Sequence, residues 1–368
     1  MSQSSVRISA TQAVLTVVMA IIGSATMNTP AGIIKEAGAD AWLSGVVAAA
    51  VGLLIGGLWV WLASFWPGCG LFELPVAAAG PFFGSLINVL LIVWTLIILT
   101  GSSWVGADAI LTAFLPETPR VVLCASIIVP AACAARCRLE VLARLSQLAF
   151  WLIVTLSLLM VPLSIPQIDL NRLGPVLANG MSPVVGGASV LSGIMSESLA
   201  LVALLPRIRG AARPGRLMAA VCLVAGAALV ALVVWTTLIL GPQLPARFQY
   251  PVLRLAHVIS IGDILERLDA LMIALWVVGE VAKVAFWLWL LCTGIAHLFR
   301  LPEHRSLVWP ASLIVLVGTM AYVENWAQYT PSLMGWTAIF APLVGIILPI
   351  SLLVATLLRG QRRHAESV

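Results

Sequence analysis

Glu197, Glu280 and Lys283 are ionisable residues set inside long apolar blocks of a 368-residue chain. Near the middle of a bilayer an ionised side chain costs about 2.5–3.5 kcal/mol on insertion scales, so each needs a partner, water or a change of protonation. For Glu197 the candidates are the ammonium of a bound ligand, a proton, or Lys283. Glu280 and Lys283 stand three residues apart and could neutralise each other along one helix. Alternatively, Lys283 is a fixed internal cation that takes the place of a coupling ion or gates a water path. On a wheel of 100° per residue, Asp269, Trp276, Glu280 and Lys283 fall within about 60° of one another, forming one polar stripe. Asp108 reads as an interfacial residue near the outer end of its span.

The same inventory offers no covalent chemistry. His257, His297, His304 and His364 are scattered near predicted span ends, and no HExxH, Walker or GxSxG pattern occurs, so the expectation is not an enzyme. The six cysteines include no CxxC, and only Cys133 and Cys137 share a helix face. They read as ordinary buried thiols, with no metal site expected. The fourteen Trp residues fit interfacial belts, and no cofactor follows from them.

Backbone polarity adds a second signal. One apolar block is interrupted by Gly23, Ser24, Thr26, Asn28, Thr29, Pro30 and Gly32, and another by Gly186, Gly187, Ser189, Ser192, Gly193, Ser196, Glu197 and Ser198. A helix broken at mid-depth must have its freed backbone satisfied by protein, water or a ligand, and so lines a cavity. The alternative for the first block is a Pro kink with small residues for close packing. If both helices are broken, their free N–H groups and positive half-helix ends favour a ligand carboxylate, and hence an amino acid.

These residues need a membrane to position them. Only 10% of the chain is charged and 61% is hydrophobic, with mean hydropathy +1.08, where a soluble domain carries roughly a quarter of its residues charged. Ten blocks approach or exceed the ~20 residues that cross a ~30 Å hydrocarbon core: 10–35, 42–65, 82–113, 119–135, 141–163, 183–206, 215–241, 269–299, 307–324 and 336–358. Continuous apolar runs of that length exclude a β-barrel. Alternate loops carry thirteen and six Lys or Arg residues, the larger group including Arg7, Arg136, Arg207, Arg300 and Arg363. Both termini are therefore predicted to be cytoplasmic. The net charge of +5 lies in these short loops and gives no nucleic-acid patch. The expected fold is a single all-α integral membrane domain spanning residues 1–368. Its two five-helix repeats of inverted topology, about 10–163 and 183–358, have discontinuous first and sixth helices. The longer outer loop, Gly241 to Leu268, carries Val252, Leu255, Ala256, Ile259 and Ile261, a short amphipathic helix or a plain connector.

Several stretches carry a family resemblance. They are IIGSATMNTP at Ile21 to Pro30, FLPETPRVV at Phe114 to Val122, RCRLEVLARLSQL at Arg136 to Leu148, GPVLANGMSPVVGGA at Gly174 to Ala188, and the long run from Tyr250 to Val284. With them the chain resembles the B subunit of GerA-type spore germinant receptors. That is the endospore germination permease family of the amino acid/polyamine/organocation permease superfamily. The resemblance implies a LeuT-like ten-helix fold, residence in the spore inner membrane, a germinant that is often an L-amino acid, and A and C subunits as partners besides membrane lipid. It places ligand binding at Gly23, Ser24, Thr26 and Asn28 and at Ser192, Gly193, Ser196 and Glu197. SGIMSES is more polar than the usual Gly-aromatic-Glu pattern at that place. Glu197, Glu280 and Lys283 are the candidates for proton, ion or gating roles. The competing expectations are an autonomous proton-coupled amino acid transporter and a scaffold for other subunits.

Overall fold

The computed structural model describes residues 7–210, 213–258, 268–322, 328 and 339–365. Each of the ten apolar blocks becomes helical within the described residues, because a backbone in hydrocarbon must satisfy its own N–H and C=O groups. The crossing helices are α1 (Ala10–Ala37), α2 (Ala41–Ser64), α4 (Pro81–Ala113), α5 (Arg120–Ala135), α6 (Leu139–Ser164), α9 (Pro214–Leu240), α11 (Leu268–Leu298) and α12 (Val308–Tyr322). The sixth crossing is composite: α7 (Ser182–Met195), a 3₁₀ segment Ser196–Ala200, and α8 (Leu201–Leu204). The tenth ends in α13 (Leu348–Ala365), preceded by a π-turn at Leu343–Ile347. Two short helices, α3 (Glu73–Ala79) and α10 (Pro251–Val258), lie in loops. Among the described residues, seven stretches are long and apolar enough to span, of which Ala10–Ser64 is the α1–α2 pair, and Arg120–Ala135 and Arg305–Ala321 are shorter apolar helices.

Local sequence sets the ends. Ser9 caps α1 by a reciprocal box: its hydroxyl accepts from the Gln12 N–H at 3.1 Å while the Gln12 side chain accepts from the Ser9 N–H at 3.0 Å. α4 opens on Gly80, at φ 91°, followed by Pro81 in the first turn.

α1 is the centre of the bundle and packs against α2, α6, α7, α9, α10 and α11. It is buried on every side, so it shows no polar face. Here the structure corrects the sequence reading: α1 is helical without interruption from Ala10 to Ala37, through Gly23 to Gly32. Pro30 removes one backbone donor late in the helix, and the small residues let neighbouring helices close in and hold the segment helical. The sixth crossing does change character where expected, through a tightened 3₁₀ turn at Ser196–Ala200.

On the face bearing the N-terminus, Ile8 forms a parallel bridge with Ile208: the Ile8 N–H donates to the Arg207 carbonyl and the Arg209 N–H to the Ile8 carbonyl, each at 2.9 Å. Arg207 lies 5.3 Å over the Trp289 ring. On the opposite face, α10 buries Val252, Leu253 and Leu255 and exposes Arg254, so this helix caps the bundle. Ile259 and Ile261 lie outside the described residues. A cluster of Met27, Trp104, Met160, Tyr250, Leu253, Met272, Ile273 and Trp276 fills the space beneath it. The cysteines are free thiols; Cys124, Cys222 and Cys292 are buried as expected, whereas Cys133 and Cys137 are exposed and Cys69 is half-buried, because they sit at or beyond the ends of α5 and α2.

Candidate functional site

The 3₁₀ turn brings Glu197 inward against α1, and α11 presents Lys283 from the other side. Lys283 Nζ stands 3.0 Å from Glu197 Oε2 and 3.3 Å from Oε1, and it also reaches the Ile21 carbonyl at 3.4 Å. Both side chains are buried. This settles the pairing: Lys283 neutralises Glu197 on another helix, not Glu280 on its own. Glu280 turns toward α4, where its Oε1 accepts from Ser102 Oγ at 2.5 Å and its Cγ packs on Gly106. Its Oε2 is buried without a hydrogen-bond partner among the described residues.

A row of α11 donors meets the carbonyls of α1. Trp276 Nε1 donates to the Gly23 carbonyl at 2.6 Å, Lys283 Nζ to that of Ile21, and Trp287 Nε1 to that of Ala20 at 3.3 Å. Helix carbonyls have a second lone pair, so they accept these bonds while α1 remains helical. α11 comes close at Gly23: a Cβ there would lie 2.8 Å from Lys283 Cβ and 3.0 Å from Cδ. Gly23 is therefore the seat of the lysine stem.

The other expected residues are placed as follows. Ser24 is buried and Asn28 half-buried, and neither makes a side-chain hydrogen bond among the described residues. Thr26 turns its hydroxyl back to the Gly23 carbonyl at 3.4 Å. Ser192 and Ser196 likewise bond within their own helix, to the carbonyls of Ala188 at 2.7 Å and Gly193 at 2.6 Å. The half-buried Gly193 lies between them. Gly23, Glu197 and Lys283 are thus brought into one centre with Ile21 and Trp287, while Glu280 belongs to a neighbouring centre with Ser102. Asp269 heads the same stripe in sequence, but its side chain lies outside the described residues.

Trp287 escaped the sequence reading although it lies four residues beyond Lys283 on the same helix face, a spacing that could have found it. Ser102 stood among polar residues of its span without a visible role. Asp108, expected at the interface, is buried: it receives Arg120 Nη2 at 2.8 Å on Oδ1, and Tyr250 Oη at 2.8 Å together with Gln249 on Oδ2. Arg120 in turn lies 5.0 Å over the Trp104 ring. These contacts fasten the loop before α10 to α4 and α5, a pairing that no local spacing could reveal.

A helical bundle with a polar centre between an axial helix, a broken helix and a long facing helix is a membrane fold of the LeuT type. Solved structures agree in fold. Mhp1, a nucleobase-cation-symport-1 family transporter in a closed conformation with bromovinylhydantoin bound, superposes with TM-score 0.69 at 16% identity, covering 94% of this chain and 80% of that one. MhsT in complex with L-phenylalanine gives 0.61 at 10% identity, covering 93% and 98%. A manganese transporter from Eremococcus coleocola gives 0.63 at 12% identity, covering 94% and 81%.

Within that class, the family model described as spore germination protein matches residues 7–326, and the chain belongs to this family. It is 25% identical over 367 residues to spore germination protein KB of Bacillus subtilis (strain 168), covering 97% of this chain and 96% of that protein. It is 27% identical over 294 residues to the putative spore germination protein YfkT of the same strain, covering 79% and 80%. The chain is a germination-related membrane permease.

Proposed function

We propose that this chain is the germinant-sensing membrane subunit of a spore germination receptor. It binds an L-amino acid between α1 and the broken sixth helix and passes the bound state to A and C subunits in the spore inner membrane. The observation that carries this reading is the buried carboxylate of Glu197 on a 3₁₀ turn facing α1, paired among the described residues with Lys283; it is the group that would accept a ligand ammonium. Ser24 and Asn28 lack side-chain partners among the described residues and can meet the rest of the ligand. MhsT, of the same fold, carries L-phenylalanine in its solved complex. In this reading the binding residues are Gly23, Ser24, Thr26, Asn28, Ser192, Gly193, Ser196 and Glu197, with Lys283 and Glu280 in gating or proton roles. The two repeats run about 10–163 and 183–358, both termini are cytoplasmic, and the protein is not an enzyme. A ligand acts by its difference in affinity for two conformations.

The second reading is an autonomous proton-coupled amino acid transporter, favoured by three ionisable groups buried at the centre. Equilibrium binding and uptake of a labelled amino-acid panel by the purified chain in liposomes, with and without an inward proton gradient, separates the two. Binding without uptake is the result expected of the sensor. Gradient-driven accumulation would replace it with the transporter.

A further inference from the structure

Two carboxyl groups and one ammonium are buried together at the centre of the bundle, and the ammonium is spent on Glu197. An ionised Glu280 would then be an uncompensated charge, held by one serine hydroxyl and with its second oxygen unpartnered among the described residues. Buried charges persist when paired, and a lone carboxyl in such a place is stable as the neutral acid. Among the described residues, the groups facing Glu280 from its surroundings add no further cation. Lys283 on α11 and Glu197 on the 3₁₀ turn are the charges that act on it. α4 offers Asp108, already held by Arg120, and α5 offers the Cys124 thiol besides Arg120. α1 between residues 10 and 34 has no ionisable residue, α6 has them only at Glu140 and Arg144 near its start, α12 only at Tyr322 near its end, and α10 carries His257 and Arg254, the latter exposed beside Phe248.

Lys283 lies three residues from Glu280 on the same helix, so its flexible stem can present the ammonium to either carboxylate. We propose that Glu280 is a proton-binding site worked by Lys283: it carries a proton while Lys283 sits on Glu197, and gives it up when a ligand ammonium takes Glu197 and Lys283 swings to Glu280. The O–H bond of the Glu280 carboxylic acid breaks, its proton passes to water, and the carboxylate left behind pairs with the lysine. Both carboxylates then have a cation, and binding an ammonium-bearing ligand releases one proton per chain. The ligand step rests on the reading given under Proposed function; the proton on Glu280 does not.

Infrared spectra of the purified full chain in lipid nanodiscs at neutral pH test this without any ligand. Wild type should show a protonated carboxylic-acid band, worth one carboxyl per chain, that is lost in E280Q. No difference between wild type and E280Q would overturn the site. E197Q frees Lys283 and should lose the same band as Glu280 ionises to pair with it; retention of the full band in folded E197Q would overturn the coupling. E197D, a milder change that lengthens the Glu197 contact, should lower the band if E197Q does not fold, and an unchanged band there overturns the coupling equally. Amino-acid binding is measured separately on the same samples. If Glu280 carries its proton but none of the amino acids binds the folded protein, the ligand reading falls and the proton site stands.

Discussion

Replacing Glu197 by Gln removes the acceptor for a ligand ammonium but leaves Lys283 a second carboxylate within reach. E197Q should insert and fold with small loss of stability while amino-acid binding falls below detection, and normal affinity in folded E197Q would take Glu197 out of the site. Lys283→Met is the costlier change, since it leaves two buried carboxyl groups and no cation. Removing one partner of a buried pair costs about 3–5 kcal/mol, so K283M should show the lower Tm of the two in detergent. At Gly23 even a methyl group meets Lys283 Cβ at 2.8 Å. Overpacking of this kind costs about 1–3 kcal/mol, so G23A should lower Tm and weaken ligand binding together. His304, in the loop before α12, gives a pH signature outside the membrane. Burial, aided by the cations of Arg305 and Arg207, holds its imidazole below the usual histidine value. The unfolded chain therefore takes up that proton first as pH falls through about 6.5, and stability declines below that pH until the folded form also protonates. H304Q should flatten that part of a Tm-against-pH curve, and an unchanged slope would assign it to another group.

At the level of helices, spans of 20 or more apolar residues are legible because the bilayer sets both their length and their composition; within the described residues the expected blocks match helices to within a few residues, except that the tenth runs on to Ala365 where 358 was expected. The break in the sixth crossing was legible too, from serines and a glutamate crowded into SGIMSES. The same logic overreached in α1, since Gly, Ser, Thr and Pro serve close packing as well as unwinding, and burial on all sides decides between the two. Which carboxylate takes Lys283 depends on how near α7 and the 3₁₀ turn approach α11, a tertiary distance with no periodicity to betray it. The Asp108 cluster is likewise built from three elements, α4, α5 and the loop before α10. Y250F removes one of its hydrogen bonds, for about 0.5–1.5 kcal/mol, and should raise hydrogen exchange in α10 without altering the bundle below it. Uniform exchange in wild type and Y250F would show that the loop is held by its apolar residues alone.

For the molecule as a whole, orientation is open to a direct chemical readout. Cys137 is exposed beyond the end of α5, on the face that carries the N-terminus. With C133S in place, a membrane-impermeant maleimide should modify Cys137 in inverted vesicles and not in intact cells. Labelling from outside would reverse the predicted topology. That same face holds the two-rung contact between Ile8 and Ile208, which ties the segment before α1 to the segment that follows the broken helix. The chain from Ile208 runs back through one turn of α8 to Glu197. If the centre binds a ligand ammonium as proposed, a pull on Ile8 is delivered to Glu197 through a single short strut, and a subunit that grips this tether feels, or sets, the occupancy of the centre.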